Sequence, residues 1–417
     1  MDETFRFVAL KNSRIGALLS SYKMPIMLVL LFIPQLVQMV TFSLGDITSI
    51  YHNYYFVGYE TGFGGRKLLG TIFGWFFSGY VGHGKLLPVI WGINAVFIGL
   101  LCWLFQECKS GFYGKGNFAI ALMVVVWMVS PFSILRYVRD GMSVQYIDIY
   151  NMSLTLVFVL LFLYRRGRVS YYLCTLLIAL AGILIHHVFL FLFFPLFLSL
   201  FIYDCWDGHR VNIVKSLWYG VILLLVVLMV AAIWRFGHMN IGLDSLYSSI
   251  VDRTPSGIIK RDGGYALNVL YYASQEENIA SNAEILPIMY RIHLPVTILV
   301  MMPMLLLLWA PFLLAMNSCS GGARWRYFFV WASSAFGTLP VFFIAIDYGR
   351  WLYSYFFVQV ILLIVLSQLK DSVFARGCLV LGKWLRNHPC LVAMIIIYMA
   401  SLAASHVFGL PIVSKNN

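Results

Sequence analysis

The stretch YYLCTLLIALAGILIHHVFLFLFFPLFLSLFIY, residues 171–203, decides the fold. As a single helix, it would measure about 50 Å, whereas the hydrocarbon core of a bilayer is about 30 Å thick. The stretch is therefore too long for one crossing, and the polar pair His186–His187 lies near its middle. We predict two short helices that meet at this pair, near one surface of the membrane.

The composition of the whole chain is that of a membrane protein. Of its 417 residues, 61% are apolar and 11% are charged, whereas soluble domains contain about 45–50% apolar and about 25% charged residues. The apolar runs are long and continuous, which excludes a β-barrel. The 7 cysteines are scattered, with neither a CxxC motif nor histidines at metal-site spacing. We expect no cofactor, since nothing supports a divalent metal, and no removable signal peptide.

Apolar runs of about 20 residues predict further spanning helices. Together with a hairpin at residues 171–203, they predict an all-α bundle of about eleven spans, a single integral membrane domain over residues 1–417. Leu68–Val81 is too short to span and predicts an interfacial helix, and Arg235–Arg291 is a long outer loop. The predicted spans are Met24–Leu44, Leu86–Phe105, Phe118–Leu135, Asp148–Tyr164, Ser216–Trp234, Ile292–Met316, Tyr327–Ile346, Trp351–Leu369 and Cys390–Val407.

Basic residues set the predicted orientation, because lysine and arginine concentrate in short cytoplasmic loops. With a cytoplasmic N-terminus and the hairpin, 17 of the 29 lysines and arginines fall in cytoplasmic segments. A single span at 171–203 would move Arg210, Lys215 and Arg324 to the outside. We therefore predict a multi-pass membrane protein with its N-terminus in the cytoplasm. The net charge of +12 then reflects topology, and no nucleic-acid partner is expected.

Two candidate groups follow the first predicted span. Asp46, at the exit of that span, can take a proton from a sugar hydroxyl, although a helix stop explains it equally well. The run YETGFGGRKLLG, residues 59–70, has four glycines that free backbone N–H groups to approach a phosphate, and Arg66 adds charge. A flexible turn with snorkelling cations is the alternative for this run.

Three later groups also lie on the predicted outer side. Arginines bind phosphate oxygens with two parallel hydrogen bonds, and histidine in an apolar run usually faces a cavity or a partner. The alternative is a set of local ion pairs for the arginines, packing for the histidines, and an aromatic-belt turn for the third group. The groups are Arg136, Arg139, Asp140 and Asp148; the pair His186 and His187; and the turn DYGRW at 347–351, which includes Asp347 and Arg350.

The outer loop Arg235–Arg291 contains Arg253, Tyr271-Tyr272 and Glu276-Glu277. Long loops over a membrane cavity often act as lids or substrate clamps, whereas a passive loop is the alternative. Ten residues separate Arg253 from Gly264, a spacing that chance also produces among 33 glycines.

A chain with these features resembles bacterial membrane enzymes that build surface polysaccharide. It is similar to C-type membrane glycosyltransferases, whose catalytic carboxylate lies in the first outer loop, where this chain has Asp46 but no Asp-Asp or Asp-x-Asp pair. It is also similar to O-antigen and capsule polymerases, whose outer loops carry arginines and an Arg-x10-Gly pattern. Arg253 and Gly264 match that pattern once.

The resemblance implies a location in the bacterial inner (cytoplasmic) membrane. It also implies a saccharide donor on polyprenyl phosphate or pyrophosphate, a saccharide acceptor and membrane lipids as partners. The leaving phosphate needs cations, and the acceptor hydroxyl needs a base. A transporter or flippase for lipid-linked saccharide or a small anion is the alternative, but no internal repeat is visible and the polar groups collect on one face. The candidate bases are Asp46, Asp347 and His187; the candidate substrate-binding residues are Arg66, Arg136, Arg139, Asp140, Asp148, His186, Arg253 and Arg350.

Overall fold

The computed structural model describes residues 29–30, 32–37, 54–107, 118–140, 147–207, 210–254, 286–344, 347–369 and 371–404. Helices dominate these residues, and the one sheet is a two-stranded hairpin of β1 (Trp206–Asp207) and β2 (Arg210–Val211). The main helices are α1 (Leu68–Phe76), α2 (His83–Glu107), α3 (Phe118–Val129), α4 (Ile134–Arg139), α5 (Asp148–Arg165), α6 (Val169–Ile185), α7 (Phe189–Leu192), α8 (Phe194–Cys205), α9 (Ile213–Phe236), α10 (Leu243–Val251), α11 (Leu294–Asn317), α12 (Gly322–Phe336), α13 (Tyr348–Gln368), α14 (Ser372–Asn387) and α15 (Pro389–Ala404). A short helical turn, Leu286–Ile288, and a π-helical turn, Met289–His293, lead into α11.

Within the described ranges, 6 helical segments are long and apolar enough to cross a membrane, or up to 7 if the bent pair α14–α15 counts as one span. This confirms an all-α polytopic membrane protein, but it does not support the predicted number of about eleven spans. The difference has identifiable sources. Helices α6 and α8 have 17 and 12 residues, shorter than a comfortable span. Most of the predicted span Met24–Leu44 lies outside the described residues.

The predicted break at His186–His187 is confirmed. Helix α6 ends at Ile185, and His186 adopts an extended conformation while its Nδ1 accepts a hydrogen bond from the backbone N–H of Val188 at 3.2 Å. Gly182 makes the reversal possible, because a Cβ at this position would lie 2.6 Å from the ring of Phe189. The chain then continues through α7 into α8.

The predicted interfacial helix is present but shorter than expected. Helix α1 ends at Phe76, and the following residues to Gly82 are not helical. One face of α1 is buried through Leu69 and Phe73, while the side chains of Trp75 and Phe76 are about three-quarters exposed. An apolar face left exposed in this way is typical of a helix that lies in the membrane interface.

The predicted span Tyr327–Ile346 is interrupted. Helix α12 ends at Phe336, Gly337 follows it, and a 3-10 turn continues over Leu339–Phe343. Gly337 allows close packing, since a Cβ there would lie 2.9 Å from Pro195 of α8. The amphipathic helix α14, which the sequence analysis did not predict, meets α15 at an angle of 95°.

Helix α13 is the centre of the bundle. In the most apolar 18-residue stretch of this helix, 89% of the residues are buried. Aromatic rings join it to its neighbours: Phe357 contacts Phe97 of α2 and Phe193, at centroid distances of 6.2 and 6.4 Å. Because Arg350 lies in its first turn, this rigid helix holds the guanidinium group against the neighbouring helices.

Candidate active site at one end of the bundle

Several predicted outer segments meet at one end of the bundle, which we call the polar end and define by Arg66, Asp148, His186, His187, Asp347 and Arg350. Helix α5 begins at Asp148, α6 ends beside His186, and α13 begins beside Asp347. The backbone N–H of Arg66 donates to the carbonyl of Leu184 at 3.0 Å. Residues that are distant in the sequence are therefore neighbours here.

The Arg350–Asp148 ion pair is the buried core of the polar end. The Nε and Nη2 atoms of Arg350 donate to the two carboxylate oxygens of Asp148 at 2.7 and 3.1 Å. The side chain of Asp148 is fully buried, and that of Arg350 is 7% exposed. A two-pronged pair of this kind fixes both the orientation and the charge of the guanidinium group.

A second carboxylate completes the coordination of Arg350. Its Nη1 atom donates to Asp347 at 2.9 Å, and the side chain of Asp347 is 49% exposed. The guanidinium charge is thus balanced by one buried and one accessible carboxylate. Asp347 is the one carboxylate of this group that a substrate can reach without displacing a helix.

The glycine loop, Gly62–Lys67, packs against the histidine break. A Cβ on Gly65 would lie 3.1 Å from Nδ1 of His187, so the loop and the histidine ring are in close contact here. The rings of His186 and His187 lie 5.3 Å apart between centroids. The guanidinium groups of Arg66 and Arg350 both lie within electrostatic reach of His186.

Arg66 differs from Arg350 in how its charge is balanced. Its Nε atom is buried without a hydrogen-bond partner, and it forms no ion pair with any described residue. Its backbone has a φ of 68°, in the left-handed region that is uncommon for residues other than glycine. Strained backbone of this kind is concentrated at functional sites. Arg66 is therefore the better candidate for a bound anion.

Lys67 fastens the glycine loop to the start of the outer loop. Its Nζ atom donates to the carbonyl of Gly62 at 2.9 Å and lies 3.5 Å from that of His238. The side chain is 1% exposed. Burial lowers the pKa of Lys67 to about 8, and the nearby carboxylate of Glu60 partly opposes this shift.

Two other predicted arginines, Arg136 and Arg139, lie in a group of their own. Arg136 and Arg139 both bind Asp140, each through Nε at 2.9 Å, so the alternative of local ion pairing describes them. Arg136 also donates to the carbonyl of Ala403 in α15 at 2.7 Å. These three residues form a separate ion-paired group beside Tyr353 of α13.

Arg253 joins the outer loop to the interfacial helix. Its Nη2 atom donates to the carbonyl of Phe77 at 2.9 Å, its guanidinium lies 5.4 Å from the ring centre of Phe56, and its own carbonyl accepts from Val81 at 2.8 Å. This arrangement anchors the loop. Asp46 and Gly264, the other residues of the two family patterns, lie outside the described residues.

Asn151 is a polar-end residue that the candidate set lacked. It lies one turn after Asp148, is fully buried, and neither its Oδ1 nor its Nδ2 atom has a hydrogen-bond partner among the described residues. The spacing of three residues had already placed it on the same helix face as Asp148. Only the structure shows that its amide is buried without a partner, and this adds Asn151 to the candidate residues of the polar end.

The opposite end of the bundle carries a second polar network. Asp371 accepts hydrogen bonds from Tyr203 at 2.8 Å and Tyr327 at 2.6 Å, and it pairs with Arg326. Burial raises the pKa of Asp371, but hydrogen bonds from Tyr327, Phe374 and Tyr203, with the charge of Arg326, lower it overall. Asp204, Lys215 and Tyr219 form a neighbouring group.

Taken together, fold and site define a class: a polytopic all-α membrane protein with charged groups buried at both ends. No protein-family model, no curated protein and no solved structure matches the chain. No three histidine, cysteine, aspartate or glutamate side chains come together as metal ligands in the part of the chain that the structure describes.

Proposed function

We propose that the chain is an integral membrane glycosyltransferase or polysaccharide polymerase that acts on the extracytoplasmic face of a bacterial inner membrane. Its donor is a sugar carried on polyprenyl phosphate or pyrophosphate, and its product is a surface polysaccharide such as O-antigen or capsule. The observation that carries the proposal is the convergence of Arg66, His187 and the Asp347–Arg350–Asp148 group at one end of the bundle.

The chemistry follows from the charges. When the acceptor hydroxyl oxygen bonds to the anomeric carbon, the bond from that carbon to the donor phosphate breaks and negative charge develops on the departing lipid phosphate. Arg66, which has no described counter-ion, is suited to stabilise that charge. The proton of the acceptor hydroxyl passes to a carboxylate or imidazole, and Asp347 or His187 is our choice within the described residues.

Arg350 has a positioning role in this proposal. Two carboxylates already accept hydrogen bonds from its Nε, Nη1 and Nη2 atoms, so its role is to hold Asp347 at the exposed edge of the polar end. The proposal keeps the eleven-span topology and the cytoplasmic N-terminus, which place the polar end outside.

The test uses Arg66→Ala in a strain whose own copy of the gene is deleted. We expect a loss of glycan extension of about 100-fold or more, since removing one charge-stabilising donor has effects of this size, with normal amounts of protein in the membrane. Arg168→Ala is the matched control, because Arg168 is exposed in the loop between α5 and α6, at the opposite end. Unchanged glycans with Arg66→Ala would exclude Arg66 from the active site.

One observation favours a second function, transport of a lipid-linked saccharide or an anion. Ion pairs are present at both ends of the bundle, the buried pair Arg350–Asp148 and the partly buried pair Arg326–Asp371. In a transporter that opens alternately to the two sides of the membrane, the ion pair at one end would separate while the pair at the other end stays formed. The deletion strain separates the two functions: unflipped precursor accumulates if the protein is a transporter, whereas flipped single units accumulate if it is a polymerase.

A further inference from the structure

An elongated cavity of about 250 Å³ lies between α11, α12 and α13, apart from the polar end. Its walls are almost entirely apolar, with Met301 and Leu305 of α11 facing Leu352 and Phe356 of α13. The volume exceeds that of a cavity of about 150 Å³ that stays dry and binds benzene. The chemistry of the walls therefore suits a hydrocarbon and not water.

The cavity is long enough to hold an extended hydrocarbon chain. Along α11 its lining runs from Leu294 to Trp309, which corresponds to about 22 Å of helix. One leaflet of the hydrocarbon core is about 15 Å deep, half of the total of about 30 Å. A single acyl chain with its ester group can extend over this distance, whereas a compact ligand would fill only part of it.

A few polar side chains also line the cavity, those of Thr297, Trp309, Thr338 and Tyr355, and the hydroxyl of Thr338 is the group of interest. Thr338, in the turn after α12, lines the cavity and is fully buried, and its Oγ1 atom has no hydrogen-bond partner among the described residues. Phe336 lines the cavity and is also 45% exposed, so the cavity reaches the outer surface of the described helices there. A buried hydroxyl without a partner is destabilising unless a ligand supplies one.

The cavity and the ion pair lie on different faces of α13. Arg350 faces Asp148 of α5, and Leu352, two residues later, lines the cavity between α11 and α12. Residues two apart on a helix point in nearly opposite directions. A lipid whose phosphate is bound by arginine at the polar end is therefore poorly placed to put its chain in this cavity.

We propose that the cavity binds one acyl chain of a bilayer phospholipid, with the ester group accepting a hydrogen bond from Thr338. The bound chain fills the space between α11, α12 and α13 and supports the turn that leads to Asp347. This site is independent of the proposed enzymatic activity.

The experiment uses the full-length chain in vesicles of phosphatidylethanolamine and phosphatidylglycerol that contain phosphatidylethanolamine with a photoactivatable acyl chain. After illumination, labelled peptides are identified by mass spectrometry. We expect labelling concentrated on α11, α12 and α13. Labelling spread evenly over exposed helices such as α9, or displacement of the label by equimolar polyprenyl phosphate, would overturn the proposal.

Two variants sharpen the result. Ala335→Leu places a larger side chain in the cavity and should reduce labelling about tenfold, whereas Ala231→Leu, the same change on the exposed face of α9, should leave it unchanged. Thr338→Val keeps the volume and removes the hydroxyl, so labelling should fall about three- to tenfold, the effect of one hydrogen bond. Equal labelling of wild type and Thr338→Val would refute the hydroxyl contact even if Ala335→Leu failed to fold.

Discussion

At the level of single residues, Arg66 and Arg350 have different environments and therefore different expected roles. Arg350 is held by two carboxylates, and its geometry is fixed. Among the described residues, the buried Nε atom of Arg66 has no hydrogen-bond partner, and the backbone of Arg66 is left-handed. The sequence predicted both as phosphate ligands, and it could not distinguish them, because the difference depends on a partner 202 residues away in the chain.

The two carboxylates on Arg350 should respond differently to substitution. Asp148→Asn leaves a buried guanidinium short of its counter-ion and should destabilise the protein by about 3–5 kcal/mol. Asp347→Asn removes a half-exposed partner and should cost less than about 1 kcal/mol, while reducing activity more strongly than stability. Thermal unfolding of both variants in one detergent measures the two losses of stability. Equal destabilisation would contradict the description of Asp148 as the buried partner and Asp347 as the accessible one.

Lys67 should give the protein a pH-dependent stability. Above about pH 8 the folded lysine loses its proton, whereas in the unfolded chain it keeps the proton up to its ordinary pKa of 10.5. The unfolded state then binds more protons, so stability rises with pH between these two values. We expect the unfolding midpoint of wild type to rise relative to that of Lys67→Met over this range. A constant difference between the two proteins would show that the lysine titrates normally.

At the level of elements, two glycines of α1 provide a matched pair. A Cβ at Gly70 would lie 2.2 Å from the carbonyl oxygen of Val57, so Gly70→Ala must displace backbone and should destabilise the protein by about 1–3 kcal/mol. In the part of the chain that the structure describes, nothing lies within 4 Å of a Cβ at Gly74. Gly74→Ala should therefore stabilise α1 by about 0.5–1 kcal/mol.

Unfolding midpoints of the two glycine variants test the packing of α1. If Gly70→Ala were as stable as Gly74→Ala, then α1 would not contact the segment around Val57.

The elements that the sequence predicted best are those with uniform hydropathy. The predicted spans Leu86–Phe105 and Asp148–Tyr164 correspond closely to α2 and α5, because only length and apolar composition define them. The hairpin was recognisable from one polar pair in an apolar run. The interruption after Phe336 was missed because Gly337 and Pro340 lie in an apolar stretch, and the effect of Gly337 depends on packing against Pro195.

On the scale of the whole molecule, the polar residues divide between two ends. Segments predicted as outer loops meet around Arg350, and segments predicted as inner loops meet around Asp371. Alternation of the chain through the membrane requires this division. The sequence could therefore predict which residues share an end, whereas pairings such as Arg253 with Phe77 depend on tertiary contacts that periodicity does not specify.

The central claim is that the end of the bundle with Arg66, His187 and Arg350 faces away from the cytoplasm. Single cysteines in a cysteine-free variant test it, at the exposed positions Asp244, in the segment anchored to the glycine loop, and Ser372, beside Asp371. With a membrane-impermeant maleimide on intact spheroplasts, the account predicts labelling at 244 at once and at 372 only after permeabilisation. The reverse pattern would place the polar end in the cytoplasm and contradict the account.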